Sequence, residues 1–237
     1  MTSDAGGQPY DADLMAAVTA LGAALRGLVD ASVLTTVPAD ELRAAAAGAR
    51  AVTERLAAAQ RPPTRLPVLD DPLVFRRVYS PVSGVGSALA PPLVIRRAEG
   101  GVVAEATLGA AYEGPPGYVH GGVSSLLVDQ LLGSTAIAAG LWGMTVRLEL
   151  DYRGPVPLST PLVLQARVTE AAGRKCVVTG TIATAADPER TLVEARGVFV
   201  MPREEVRADY FGAITDASGR PAPPRRPTDA TATTERP

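Results

Sequence analysis

Residues 122–140 are apolar nearly all the way round, with Asp129 and Gln130 near the centre of the run. A helix of that character has to be enclosed by other structure, because no polar face is left for water. A bilayer is one possible enclosure, and residues 121–144 are the one segment read here as a candidate span. A carboxylate at its centre would cost roughly 2.5–3.5 kcal/mol in hydrocarbon. The expectation is therefore no membrane span, but a buried helix inside a soluble protein.

What encloses it is legible on both sides. Residues 93–97 and 102–108 read as two strands around the turn Ala98-Glu99-Gly100-Gly101. After the helix come four more, at 144–152, 161–169, 175–185 and 192–201, separated by turn signals at Gly154-Pro155, Ala172-Gly173 and Asp187-Pro188. Two strands, one helix and four strands predict an α+β fold, an antiparallel sheet wrapped around a single long central helix.

The flanks have a different grammar. Residues 1–62 read as a helical hairpin extension: Leu14, Val18, Leu21, Leu25 and Leu28 form an apolar stripe, Asp11 is a cap, and Pro38 opens a second helix. Its expected role is to cover a core or extend a dimer interface. Residues 63–83 are proline-rich and read as a linker, and residues 215–237 as a disordered tail. The first ten residues lack a basic cluster and an apolar core, so no targeting signal is expected there.

Composition removes whole classes of chemistry. Lys and Arg number 23 against 25 Asp and Glu, so no basic excess exists to neutralise a phosphate backbone, and nucleic acid is not an expected partner. A lone cysteine, Cys176, excludes an intramolecular disulfide and every paired-cysteine zinc or redox motif, and fits a cytoplasmic location. A lone histidine, His120, excludes multi-histidine metal sites within one chain. No metal and no cofactor are expected, which leaves carboxylates, hydroxyls and backbone.

The stretch Tyr112-Glu113-Gly114-Pro115-Pro116-Gly117-Tyr118-Val119-His120-Gly121-Gly122-Val123, followed by Leu127-Val128-Asp129, resembles the signature of the hotdog-fold acyl-CoA thioesterases, closest to their phenylacetate-degradation (PaaI-like) group. Met144-Thr145, Asp151-Tyr152, Pro155-Val156-Pro157-Leu158, Gly173-Arg174-Lys175 and Glu194-Ala195 extend the likeness across residues 84–203. The resemblance implies a hotdog thioesterase domain there, with acyl-CoA, aryl or fatty, as substrate and a homodimer or a tetramer as the assembly. It implies Asp129 as the catalytic carboxylate, nucleophile or general base for water. It implies the Gly121 N–H as the donor that polarises the thioester carbonyl, His120 as a shaping residue, and Thr145 as a hydroxyl that helps hold water. Some relatives carry an Asn or Gln side chain in the loop where this chain has Gly114 and Pro115.

The residue types suit the reaction. Thioester hydrolysis needs a nucleophile and donors aimed at the oxygen that becomes negative, and free N–H groups at a helix N-terminus are such donors. Gly121 and Gly122 carry no side chain to keep a carbonyl away, Gly114 sits in the loop leading to them, and Gly122, Ser125 and Gly114 are the expected substrate contacts. Gly121 and Asp129 lie about 12 Å apart along one helix at ~1.5 Å per residue. If both act on one thioester, they come from different chains, with two helices side by side. Ser125, Gly133 and Ala136 share the Asp129 face and are all small, leaving room for another backbone or a pantetheine arm.

Blander readings stand beside these. Asp129 could pair with Arg147 as a structural carboxylate, Thr145 could be an ordinary strand hydroxyl, and Gly121 and Gly122 could serve only as turn glycines. At the level of function, the alternatives are a non-catalytic hotdog domain that binds acyl-CoA or a protein, and a hotdog dehydratase. The dehydratase ranks last, since the only histidine sits in the His-Gly-Gly turn.

Overall fold

The computed structural model describes residues 10–71, 76–91, 93–216 and 218–221. Two helices come first, α1 (Ala12–Leu34) and α2 (Ala39–Ala57), then strands β1 (Val94–Ala98) and β2 (Gly101–Ala106). The central helix α3 (Gly121–Ala138) is followed by β3 (Met144–Tyr152), β4 (Leu162–Ala172), β5 (Lys175–Thr184), β6 (Val193–Val200) and a short α4 (Glu204–Phe211). The strands form one antiparallel sheet in the order β1-β2-β4-β5-β6-β3, so that β3 is an edge although it follows α3 directly. This is the hotdog arrangement.

The sheet wraps α3 because α3 has apolar side chains to bury in several directions. Leu127, Val128, Leu131 and Leu132 are all fully buried, against Leu164, Val178, Ile182 and Val193 of the sheet. Removing such a side chain from water stabilises by roughly 1.5–3 kcal/mol, so the helix and the sheet hold each other. Of the small residues, Ala136 proves to belong to this core, so the expectation that it leaves room for another backbone or a pantetheine arm is corrected, whereas Gly133 is half-buried, beside the Phe199 ring.

The N-terminal helices form where expected but pack differently. Asp11 caps α1, accepting from the Leu14 N–H at 3.0 Å. The side of α1 turned to the body carries Met15, Val18, Gly22 and Arg26, while Leu14, Leu21 and Leu28 are exposed. The reason is close approach: a Cβ on Gly22 would lie 2.2 Å from the Val85 carbonyl oxygen, so only glycine lets the backbones touch. Arg26 then donates to the carbonyls of Val85, at 3.1 Å, and Ser87, at 2.7 Å. Helix α2 is exposed at every residue and is not paired along α1, so the two do not make the expected hairpin.

Among the described helices α1, not the central run, is long and apolar enough to cross a membrane, with a mean hydropathy of 1.5 over its most apolar stretch. Here it docks on the body through Gly22 and Arg26.

The proline-rich segment is packed rather than extended. Leu69, Val78 and Val82 are buried, and the Asp70 carboxylate takes the Val78 N–H and the Arg77 guanidinium, both at 2.8 Å. The start of the tail is ordered too: Thr215 exchanges hydrogen bonds with residues 64 and 66, and Asp216 caps a turn over Ser218 and Arg220. Residues 222–237 of the expected tail, and residues 1–9 of the N-terminal segment, lie outside the described residues. Helix α4 brings Phe211 edge-on to Trp142, ring centres 6.2 Å apart, which gives that tryptophan a packing role. Burial pushes the Cys176 thiol up, as suits a small core residue.

Candidate active site

The loop before α3 is built to deliver one imidazole. Gly114 and Tyr118 close a turn, with the Gly114 N–H on the Tyr118 carbonyl at 2.9 Å, and the Glu113 carboxylate takes the Gly117 N–H at 2.8 Å. The His120 N–H then returns to the Tyr112 carbonyl at 2.9 Å. A Cβ on Gly114 would come within 2.7 Å of the His120 Cα, so glycine at this position makes room for His120. Helix α1 backs the same loop, with Asp30 against Gly109 and Tyr112. Burial raises the Tyr112 phenol above its ordinary value, Arg26 opposes that, and Asp30 adds to it.

His120 is the N-cap of α3. Its Nδ1 accepts the Gly122 N–H at 3.0 Å, so that nitrogen carries no proton, and the His120 carbonyl takes the N–H groups of Val123 and Ser124. Of the first four N–H groups of the helix, the one left without an acceptor among the described residues is that of Gly121. The Gly122 N–H, expected to face substrate, is committed to the imidazole. Gly121 itself is half-buried.

Asp129 lies on the same helix, half-buried. Its Oδ1 accepts from the Thr145 hydroxyl at 2.9 Å, and among the described residues no arginine or lysine pairs with it. Arg147, the alternative partner, binds Glu149 at 2.6 Å instead. The carboxylate thus keeps its second oxygen without a hydrogen-bond partner among the described residues.

Thr145 reaches Asp129 through a β-bulge. The register of β3 against β6 slips between Thr145 and Arg147, leaving Val146 as the extra residue. Leu148 and Leu150 pack toward the core, and strict alternation from them would turn Thr145 outward. With the bulge, Thr145 pairs with Phe199, Leu148 with Gly197 and Tyr152 with Val193, all on the face turned to α3. Tyr152 lies an odd number of positions from Thr145, and the bulge brings the two onto one face. Its hydroxyl donates to the Gly121 carbonyl at 2.9 Å, with Ser125, expected to contact substrate, at 2.9 Å from the same hydroxyl.

Fold and site together define a hotdog-fold protein whose central helix offers a free N–H at its start and a hydroxyl-bonded carboxylate further along. The model of the thioesterase superfamily matches residues 116–190. A solved thioesterase superfamily protein is 34% identical, with a TM-score of 0.69 over 77% of this chain and 94% of that one. The chain belongs to the thioesterase superfamily. Acyl-coenzyme A thioesterase THEM4 of Mus musculus is 34% identical over 92 residues, which is 39% of this chain and 39% of that protein. THEM4 of Xenopus laevis is 33% identical over 92 residues, 39% of this chain and 41% of that protein. The match thus spans about two fifths of the curated relatives' own length.

Proposed function

We propose that this chain hydrolyses acyl-CoA thioesters, aryl or fatty, to the free acid and CoA, in the manner of the phenylacetate-degradation (PaaI-like) group. The observation that carries the reading is the pair on α3: a Gly121 N–H without an acceptor, and an Asp129 carboxylate bound on one oxygen by Thr145. Asp129 removes a proton from water, and the hydroxide adds to the thioester carbon. The oxygen that becomes negative rests on a Gly121 N–H. The C–S bond then breaks, and the thiolate takes the proton from Asp129, which restores the carboxylate. Direct attack by Asp129 would instead break the C–S bond, expel the CoA thiolate and form a mixed anhydride, which water opens to the free acid and the Asp129 carboxylate, its released proton going to the thiolate. Neither route calls on a metal or a cofactor.

The two groups stand about 12 Å apart along one helix at ~1.5 Å per residue, too far to serve one carbonyl. This supports a homodimer in which Asp129 works with the Gly121 of a second copy. The unpaired edge of β3, with Met144 and Val146 exposed on it and Leu126 exposed on α3, supports the same assembly. A reduced, buried cysteine fits a cytoplasmic setting.

Free-thiol release over a panel of aryl- and fatty-acyl-CoAs, run beside Asp129→Asn, tests this. Wild-type turnover that falls at least about 100-fold in the variant is expected. Silence across the panel with saturable binding of CoA esters would replace this reading with that of a non-catalytic acyl-CoA-binding domain.

A further inference from the structure

Two glycines at the start of a helix have no side chains to fix how their peptides point. In this chain the peptide between Gly121 and Gly122 is held from both sides. Its N–H is taken by His120 Nδ1 at 3.0 Å, and its carbonyl receives the Tyr152 hydroxyl at 2.9 Å. Ser125 completes a triangle, 3.2 Å from that carbonyl and 2.9 Å from the Tyr152 oxygen. The Tyr152 ring lies along Gly121, so a Cβ placed there would sit 3.5–3.6 Å from the phenol.

The tyrosine does this from the far end of β3, the strand whose other end brings Thr145 to Asp129. The extra residue at Val146 puts both side chains on the face turned to α3. One strand therefore grips the helix at its donor end and at its carboxylate. Tyr152 is itself about half exposed, and a hydroxyl hydrogen bond in contact with water adds little to global stability.

We propose that Tyr152 is a positioning residue for thioester hydrolysis, its hydroxyl fixing the Gly121–Gly122 peptide so that the free Gly121 N–H meets the oxygen of the transition state. Ser125 supports it by bonding the same hydroxyl and carbonyl. The inference rests on the acyl-CoA hydrolase reading above. A donor aimed at charge that exists only in the transition state changes kcat and kcat/KM together and leaves KM alone.

Tyr152→Phe keeps the ring and deletes the hydroxyl. With the best acyl-CoA of the panel, kcat is expected to fall about tenfold, KM to stay within about twofold, and the thermal midpoint to move little. Ser125→Ala should fall between wild type and Tyr152→Phe. An active wild type that Asp129→Asn silences, with wild-type kcat in Tyr152→Phe, overturns the positioning role and leaves the hydrolase reading standing. A raised KM, or a loss of rate matched by a loss of melting midpoint, also overturns it, in favour of substrate contact or of plain structural support. A wild type inert toward every ester overturns both readings together.

Discussion

Thr145 meets Asp129, hydroxyl to carboxylate across 2.9 Å, only because β3 carries one residue more than the partner strand beside it. The bulge turns a side chain that strict alternation would send outward onto the helix-facing side. Thr145→Val keeps the shape and removes the donor, so turnover is expected to drop about tenfold with little change in fold, whereas Thr145→Ser retains most of the rate. Steady-state kinetics of the two variants, with circular dichroism as the control, check this.

His120 acts here through a cap. Losing a side-chain cap typically costs about 1 kcal/mol. His120→Ala should therefore lower the melting midpoint and the rate together, because the Gly122 N–H loses its acceptor. Asparagine is itself a good cap, so His120→Asn should recover the midpoint; recovery of the rate as well would assign His120 a capping role and nothing more.

Gly22 and Gly27 lie on one helix in opposite situations. Alanine favours a helix over glycine by about 1 kcal/mol, and a Cβ on Gly27 meets nothing within 4 Å. Gly27→Ala should raise the melting midpoint. Gly22→Ala should lower it despite the same propensity gain, because the new carbon falls 2.2 Å from the Val85 oxygen and α1 has to lift away. Faster proteolysis within α1 should accompany that loss.

Asp216 is held well below the usual carboxylate range, at about 2, first by the Ser218 hydroxyl and then by the Arg220 N–H. A depressed carboxyl contributes to the folded state above its unfolded value of about 3.9 and loses that contribution as pH falls toward the folded one. The turn that seats residue 215 against residue 65 should accordingly loosen between about pH 4 and pH 2. Titration of the Asp216 carboxyl carbon by NMR reads this, and Ser218→Ala should move the midpoint upward.

The sheet and its helix could be read from sequence nearly residue for residue. Strand β3 begins and ends where expected, and the remaining strands and α3 shift by three residues or fewer at either end. Periodicity states which side chains want burial, and in a fold with one enclosed helix that is almost the whole answer. It does not state what they will be buried against. Leu14, Leu21 and Leu28 of α1 face outward because Gly22, which counts as neither apolar nor polar in a pattern, makes the closest approach. Nor does periodicity show a bulge, and it is the bulge at Val146 that puts Thr145 on the same face as Leu148 and Tyr152. Helix α4 and the packed segment around Asp70 were overlooked because short helices and irregular chain have no period to detect.

Strand β3, nine residues long, ends the sheet, and its outward N–H and C=O groups meet no other strand among the described residues. Water satisfies them for as long as nothing better arrives. The fold is open along that whole line rather than at one point. Were the proposed second copy to fill the line, folding and association would share one equilibrium, and dilution would act on the molecule as a mild denaturant does.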